Sequence, residues 1–143
     1  YENEEMILLN PVFFLKGNHY LLESLFFVKY GSQFKETLER LEVEVSRPKF
    51  PQNDNITSLA FLYINSSKLN LHFLEGTFEK GIYLVNIIEY GIKKHRGRID
   101  EHHIMLLYYK IACLYFGVGD NKNCIIYLKK IIIQMCLRLI SFY

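Results

Sequence analysis

The clearest pattern in the chain is MLLYYKIACLYFGVGDNKNCIIYLKKIIIQMCLR, which runs from Met105 to Arg138. Apolar residues recur at helical spacing on both sides of Gly119 and Asp120, residue types that end helices and form turns. The pattern therefore predicts two antiparallel helices joined by a tight turn. Because each helix has apolar residues on more than one side, the pair leaves apolar surface that further helices must cover.

Small residues stand at Ala112 and Cys124, where the two predicted helices must approach closely. This arrangement resembles the tetratricopeptide repeat, a helix hairpin in which large and small side chains recur at fixed spacing. The resemblance is clear over residues 105–138 and degenerate elsewhere. Ile131 stands where the family usually has Ala, and Cys136 stands where a Pro often ends the repeat. The large residues expected to fill the volume around the small ones are Tyr108, Ile111, Tyr115 and Leu128.

Turn-forming residues recur along the chain at Ser32-Gln33, Gly76-Thr77 and Gly119-Asp120, with spacings of 44 and 43 residues. The spacing predicts an all-α fold of three antiparallel helix hairpins that stack on one another. The family resemblance implies that they form a right-handed superhelical array. We expect residues 1–9 to be an arm or the end of a preceding helix. Residues 10–143 form a single repeat domain in this interpretation, with hairpins over about 11–46, 55–95 and 100–140.

Capping residues, Pro and Gly set the expected helix boundaries. The sequence does not decide whether Gly17-Asn18 interrupts the first helix, and Ser32 is the expected cap of the second. Pro48 and Pro51 mark the first long connector, because neither fits a helix interior. The predicted helices are 11–30, 33–45, 56–74, 78–94, 101–116 and 121 to at least 139, and Asp100 is expected to cap the fifth.

Composition limits the classes of partner and location. The chain has 143 residues, half of them apolar, and a net charge of +2, which is too small to indicate nucleic acid as the partner. No stretch reaches the roughly 18 uncharged apolar residues of a membrane span. The three cysteines lack C-x-x-C spacing and predict buried thiols in a reducing cytoplasm. The acidic start and the missing initial Met predict a fragment without a signal peptide.

The family resemblance implies a protein or peptide bound in the concave groove, which the first helix of each hairpin lines. Asn70 is the sharpest candidate, because its amide can both donate to and accept from a peptide backbone. The alternative is that Asn70 is solvated or bonds a neighbouring side chain. Most aromatic residues are expected to fill the core rather than the groove. The predicted groove residues are Lys29 and Asn70 for polar contacts, Ser66, and Tyr63, Phe73, Tyr109 and Phe116 for apolar ones.

The C-terminal helix is apolar on nearly every side, whereas a terminal repeat normally has a polar outer face. We therefore expect either self-association or coverage by a further helix of a longer protein. The predicted self-association residues are Ile133, Leu137 and Ile140. The alternative function is an assembly or dimerisation segment of a larger regulatory protein, with a homodimer or an intramolecular contact through this helix.

Two other clusters have simpler interpretations than a binding site. The basic run from Lys93 to Arg98 lies at a helix end, where cations complement the helix dipole. His102 and His103 are adjacent and cannot easily point at one metal ion, unlike histidines four residues apart. No phosphate loop, nucleophile elbow or H-E-x-x-H motif occurs. We therefore expect no catalysis, no cofactor and no metal.

Overall fold

A computed structural model describes residues 4–141, and within this range every regular element is an α-helix. The prediction of an all-α fold is confirmed. Residues 1–3 of the predicted arm and residues 142–143 lie outside the described range. No helix between residues 4 and 141 is long and apolar enough to cross a membrane. The helices are α1 (Glu4–Leu9), α2 (Pro11–Phe27), α3 (Gly31–Ser46), α4 (Asp54–Glu75), α5 (Phe78–Gly81), α6 (Leu84–Lys94), α7 (Glu101–Gly117) and α8 (Asn121–Ile140).

The chain divides into two compact units, Tyr1–Glu75 and Gly76–Tyr143. The division falls at the predicted Gly76-Thr77 turn, between the two halves of the second predicted hairpin. Each unit is therefore described by itself.

The first unit is built on three helices that all contact one another, with α1 packed on α2. α2 begins at Pro11 and continues through Gly17 without a break, because one glycine weakens a helix by only about 1 kcal/mol. Phe34, Leu38 and Leu41 of α3 are buried at helical spacing, as expected for an amphipathic helix. The largest fully buried side chains of this unit include Leu15, Leu22, Phe34, Leu41 and Leu69.

The first turn lies earlier than predicted. It comprises residues 28–30, and Gly31 is already the first residue of α3. Lys29 adopts a φ of 62°, while the Tyr30 N–H donates to Leu25 O at 3.0 Å and the Lys29 N–H donates to Phe26 O at 3.1 Å. These bonds satisfy the last carbonyls of α2 in the arrangement that usually requires Gly. Lys29 thus adopts the left-handed conformation at the end of α2, and the predicted cap Ser32 does not cap α3.

The second unit contains the hairpin predicted from residues 105–138, which the structure confirms as α7 packed on α8. Ala112 and Cys124 are buried between large neighbours, as expected. Leu128 is 39% exposed, so its predicted place in the core was wrong. Tyr127 fills that volume instead, because adjacent residues on a helix point about 100° apart. The Tyr127 ring centroid lies 5.9 Å from that of Tyr108 and 5.8 Å from that of Tyr115.

The predicted fourth helix is divided into α5 and α6. Ile82 and Tyr83 form a turn between them. The Ile82 N–H donates to Glu79 O at 3.3 Å and the Val85 N–H donates to Ile82 O at 3.1 Å, both across three residues. Such bonds tighten the chain into a 3₁₀-like turn. The break follows Gly81, whose low helix propensity favours an end at this point.

Side-chain caps fix the starts of three helices. Asn53 Oδ1 accepts the Ile56 N–H at 2.9 Å, and Asp120 Oδ1 accepts the Asn123 N–H at 3.1 Å. The predicted cap at Asp100 is confirmed, since its Oδ1 accepts the His102 N–H at 3.1 Å. The bonds to Asn123 are the main cause that lowers the pKa of Asp120. These caps satisfy N–H groups that a helix start leaves without intrahelical partners.

Candidate functional site

Three of the predicted groove residues are buried rather than exposed. Tyr63, Ser66 and Asn70 on α4 are 6%, 8% and 1% exposed. The Tyr63 ring stacks on His19 of α2, with centroids 4.2 Å apart and planes at 15°. Burial is the main cause that raises the pKa of Tyr63, and Tyr20 adds to it. A peptide therefore cannot contact these α4 side chains unless the first unit rearranges.

Asn70 illustrates why the groove assignment on α4 changes. Its Nδ2 donates to Glu23 Oε1 of α2 at 3.3 Å, and its buried Oδ1 has no hydrogen-bond partner among the described residues. The amide thus bonds a neighbouring side chain, which was the alternative interpretation of this residue. Its polar character orients α4 against α2 instead of facing a groove.

The other predicted groove residue on α4, Phe73, is half-buried. Lys29 is exposed, but it lies in the turn after α2 and not on a helix face. The structure therefore provides no continuous groove of predicted residues along the first unit.

The predicted groove residues of α7 are exposed. Tyr109 is 55% exposed and Phe116 is 70% exposed. They are seven residues apart and so lie on one face of the helix, with Leu106 and the half-buried Cys113 between or beside them. Cys113 raises the pKa of Tyr109 through charge repulsion and a hydrogen bond. We call Leu106, Tyr109, Cys113 and Phe116 the α7 stripe.

The C-terminal half of α8 exposes apolar side chains all round. From residue 132 to residue 140, every residue except the half-buried Gln134 is exposed. The predicted self-association residues Ile133, Leu137 and Ile140 are 58%, 55% and 69% exposed. Their spacing places them on one face of the helix. A helix that is apolar on every side is normally buried. The exposure of this segment is therefore unusual for its composition.

One groove of the first unit was not predicted. It lies between α2 and α3 and has a volume of about 680 Å³. On each helix the lining residues recur at three- and four-residue spacing, so each helix contributes one face. Gly17 opens the groove, because a Cβ built there meets no atom within 4 Å. The lining residues are Phe13, Phe14, Gly17, Asn18, Leu21, Glu36, Glu39, Arg40, Leu41, Val43, Glu44 and Arg47.

The lining of the α2/α3 groove contains both apolar and charged side chains. Phe13, Leu21 and Val43 are 75%, 45% and 56% exposed, although each is a large apolar residue. Three glutamates and two arginines surround them, and Arg47 Nε lies 3.1 Å from Glu44 Oε2. The formal charge of the lining is therefore −1, which favours a largely apolar ligand with a small positive charge. A sequence signal existed in Gly17 and in these exposed apolar residues, but only the α2–α3 pairing brings them together.

The two clusters considered from sequence do not form an evident site. The His102 and His103 rings are 5.9 Å apart at 70°, and between residues 4 and 141 no group of three or more potential ligands could hold a metal ion. Lys93 and Lys94 occupy the last turn of α6, where they complement the helix dipole.

The fold and its surfaces define an all-α protein of packed helices with uncovered apolar faces. The chain matches no protein-family model, and its comparison with curated proteins and with solved structures finds no match.

Proposed function

We propose that the chain is a non-catalytic scaffold that binds another protein or a peptide segment. The observation behind this proposal is the α7 stripe, whose aromatic residues Tyr109 and Phe116 remain exposed. Aromatic side chains with little conformational freedom dominate the binding energy of many interfaces. The resemblance of residues 105–138 to tetratricopeptide repeats supports the same function, because the stripe lies on the first helix of the pair.

The bound segment in this proposal supplies apolar side chains to the α7 stripe. The buried residues Tyr63, Ser66 and Asn70 contribute through the stability of the first unit and not through contact. The proposal therefore narrows the predicted groove to the second unit. The three free cysteines suit a reducing cytoplasm as the place of binding.

A capture experiment tests this function. The tagged chain is used to isolate partners from native cell extract, together with a Tyr109→Ala/Phe116→Ala variant. A Tyr83→Ala/Tyr90→Ala variant is the matched control, since both of these tyrosines are exposed on the same unit but lie outside the stripe. We expect the stripe variant alone to lose its partner by at least about tenfold. Equal capture by all three proteins would contradict the proposal.

A second candidate function is assembly through α8, for which the exposed segment from residue 132 to residue 140 is the observation. Substitution of Ile133→Asp and Leu137→Asp places two charges on its apolar face. If α8 mediates assembly, this variant has the mass of one chain where the wild type does not. Light scattering after size exclusion gives that mass directly.

A further inference from the structure

The two units carry opposite formal charge. Residues 1–75 contain ten acidic and seven basic residues, whereas residues 76–143 contain five acidic and ten basic residues. The formal charges are therefore −3 and +5, which together give the +2 of the whole chain. Such a division favours contact between the first unit of one molecule and the second unit of another.

α8, which exposes many apolar side chains, has no acidic residue. Every charged residue of α8 is positive: Lys122, Lys129, Lys130 and Arg138. Lys130 Nζ lies 3.4 Å from Glu89 Oε2, while the other three are exposed. A surface that covers α8 from residue 132 to residue 140 therefore needs apolar contacts and a negative group near Arg138.

The α2/α3 groove has this combination. Its lining includes the exposed apolar residues Phe13, Leu21 and Val43. It also includes Glu36, Glu39 and Glu44, against Arg40 and Arg47, of which Arg47 is paired with Glu44. The α3 residues that line it run from Glu36 to Arg47, which corresponds to about 16 Å along a helix. The exposed end of α8 from residue 132 to residue 140 is about 12 Å long by the same measure. The groove is thus long enough to hold this segment.

The positions on α8 match the two parts of the groove. Ile133, Leu137 and Ile140 share one face of α8, which can pack against the apolar lining of the groove. Arg138 follows Leu137 and therefore points about 100° away from it, towards the flank of the helix. From there the Arg138 side chain can approach a carboxylate of the groove lining while the apolar face of α8 is covered.

We propose that the end of α8 in one copy docks into the α2/α3 groove of a second copy, so that molecules associate head to tail. This inference rests on the assembly function proposed above and names the surface that receives α8. The contact is heterologous, because the two copies contribute different surfaces. Repetition of this contact gives open chains or rings, of which two copies with reciprocal contacts form the smallest ring.

Two variants, each defective in one surface, test the proposal. Gly17→Trp fills the groove, and its added side chain starts in open space within α2. Ile133→Asp/Leu137→Asp disables the end of α8. Gly17→Ala is the matched control, since it gains helix propensity without filling the groove. Thermal unfolding of each protein confirms that it is folded.

Masses at several concentrations are then measured by light scattering. We expect the wild type and Gly17→Ala to form species of at least twice the 17.0 kDa of one chain as concentration rises. Each defective variant alone stays at one chain. Their equimolar mixture forms a species of two chains, because one variant supplies an intact α8 and the other an intact groove. Added salt weakens this pair, since opposite charges contribute to it.

The other outcomes separate the two proposals. The inference is overturned if Gly17→Trp alone assembles like the wild type or if the mixture stays at one chain, because the groove is then not the receiving surface. Assembly through α8 survives this result if the aspartate variant is monomeric. If the aspartate variant assembles like the wild type, or the wild type stays at one chain at every concentration, assembly through α8 fails together with the inference. Equal loss in Gly17→Ala and Gly17→Trp also overturns the role of the groove.

Discussion

Asn70 places an amide in the interior of the first unit, 1% exposed and bonded to Glu23. We expect Asn70→Asp to lower the free energy of unfolding by about 3 kcal/mol or more at pH 7. The new carboxylate loses the donated hydrogen bond and adds a buried negative charge beside Glu23. Urea unfolding at several pH values measures the effect.

The same variant has a defined pH dependence. Burial raises the folded-state pKa of the new carboxyl above its unfolded value of about 3.9. The folded variant therefore holds a proton that the unfolded chain has lost, so its stability falls as pH rises above about 4. Asn121→Asp is the control, because Asn121 is exposed in the first turn of α8, where a negative charge is favourable. A similar loss in both variants would contradict the assigned environment of Asn70.

Lys29 and Gly119 occupy equivalent positions at the ends of α2 and α7, with φ of 62° and 80°. At each turn the next N–H donates five residues back, from Tyr30 to Leu25 O and from Asp120 to Tyr115 O. Only Gly adopts this conformation without steric cost. We expect Lys29→Gly to raise the free energy of unfolding by roughly 0.5 kcal/mol and Gly119→Lys to lower it by about 1 kcal/mol.

Chemical unfolding of the two single variants measures both changes. Lys29 is also a predicted binding residue, so the capture experiment should include Lys29→Gly. Loss of partner capture by a variant that is more stable than the wild type would show a direct contact through the lysine side chain. A decrease in stability for Lys29→Gly would contradict the strained turn.

At the scale of helices, two glycines differ in what surrounds them. A Cβ at Gly117, the last residue of α7, would lie 2.7 Å from Cγ of Phe78 on α5, whereas a Cβ at Gly17 meets no atom within 4 Å. We expect Gly17→Ala to raise the free energy of unfolding by about 0.5–1 kcal/mol through helix propensity. Gly117→Ala should lower it by about 1 kcal/mol or more, because the root of the Phe78 ring must move.

Thermal unfolding of both variants gives the sign of each change. Two stabilising substitutions would mean that Phe78 moves aside easily and does not fix α5 on α7. Because each change is the same Gly→Ala replacement within a helix, the difference between them isolates the packing against Phe78.

Helix ends were predictable where a local signal existed. Pro11, Asp100 and Gly119-Asp120 each mark a boundary that the structure has within a residue or two, since caps and turns depend on neighbouring residues. The side of a helix that is buried was harder to predict. α8 has apolar residues on nearly all of its sides, so the sequence did not show whether Tyr127 or Leu128 would be the buried residue.

The candidate site was predictable only in part for the same physical reason. The exposed α7 stripe follows from spacing within one helix. The burial of Asn70 depends on Glu23, which is 47 residues away in the chain. The α2/α3 groove likewise depends on how two helices pair, and periodicity within either helix does not define it.

At the scale of the molecule, charge and apolar surface are distributed unequally. The acidic first unit has the groove, and the basic second unit has the α7 stripe and the uncovered end of α8. Exposed apolar residues in such number usually mark interaction surfaces. Binding at the stripe and assembly through α8 use different residues, so substitutions can remove one without the other.

Both units also contain tyrosines that resist ionisation. Burial is the main cause that raises the pKa of Tyr63 in the first unit and of Tyr115 and Tyr127 in the second. In the unfolded chain a tyrosine loses its proton near pH 10. Above that pH the unfolded state therefore binds fewer protons than the folded state, so the free energy of unfolding falls as pH rises.

We expect urea unfolding between about pH 9 and 11.5 to show this decrease. The free energy of unfolding of Tyr127→Phe should fall less steeply with pH than that of the wild type. The reason is that this variant lacks the Tyr127 hydroxyl, which ionises only after unfolding. Tyr30→Phe, at a site 60% exposed, is the control and should follow the wild-type slope. Parallel profiles for Tyr127→Phe and the wild type would mean that Tyr127 reaches solvent in the folded protein. Its contacts with Tyr108 and Tyr115 would then not hold α8 on α7.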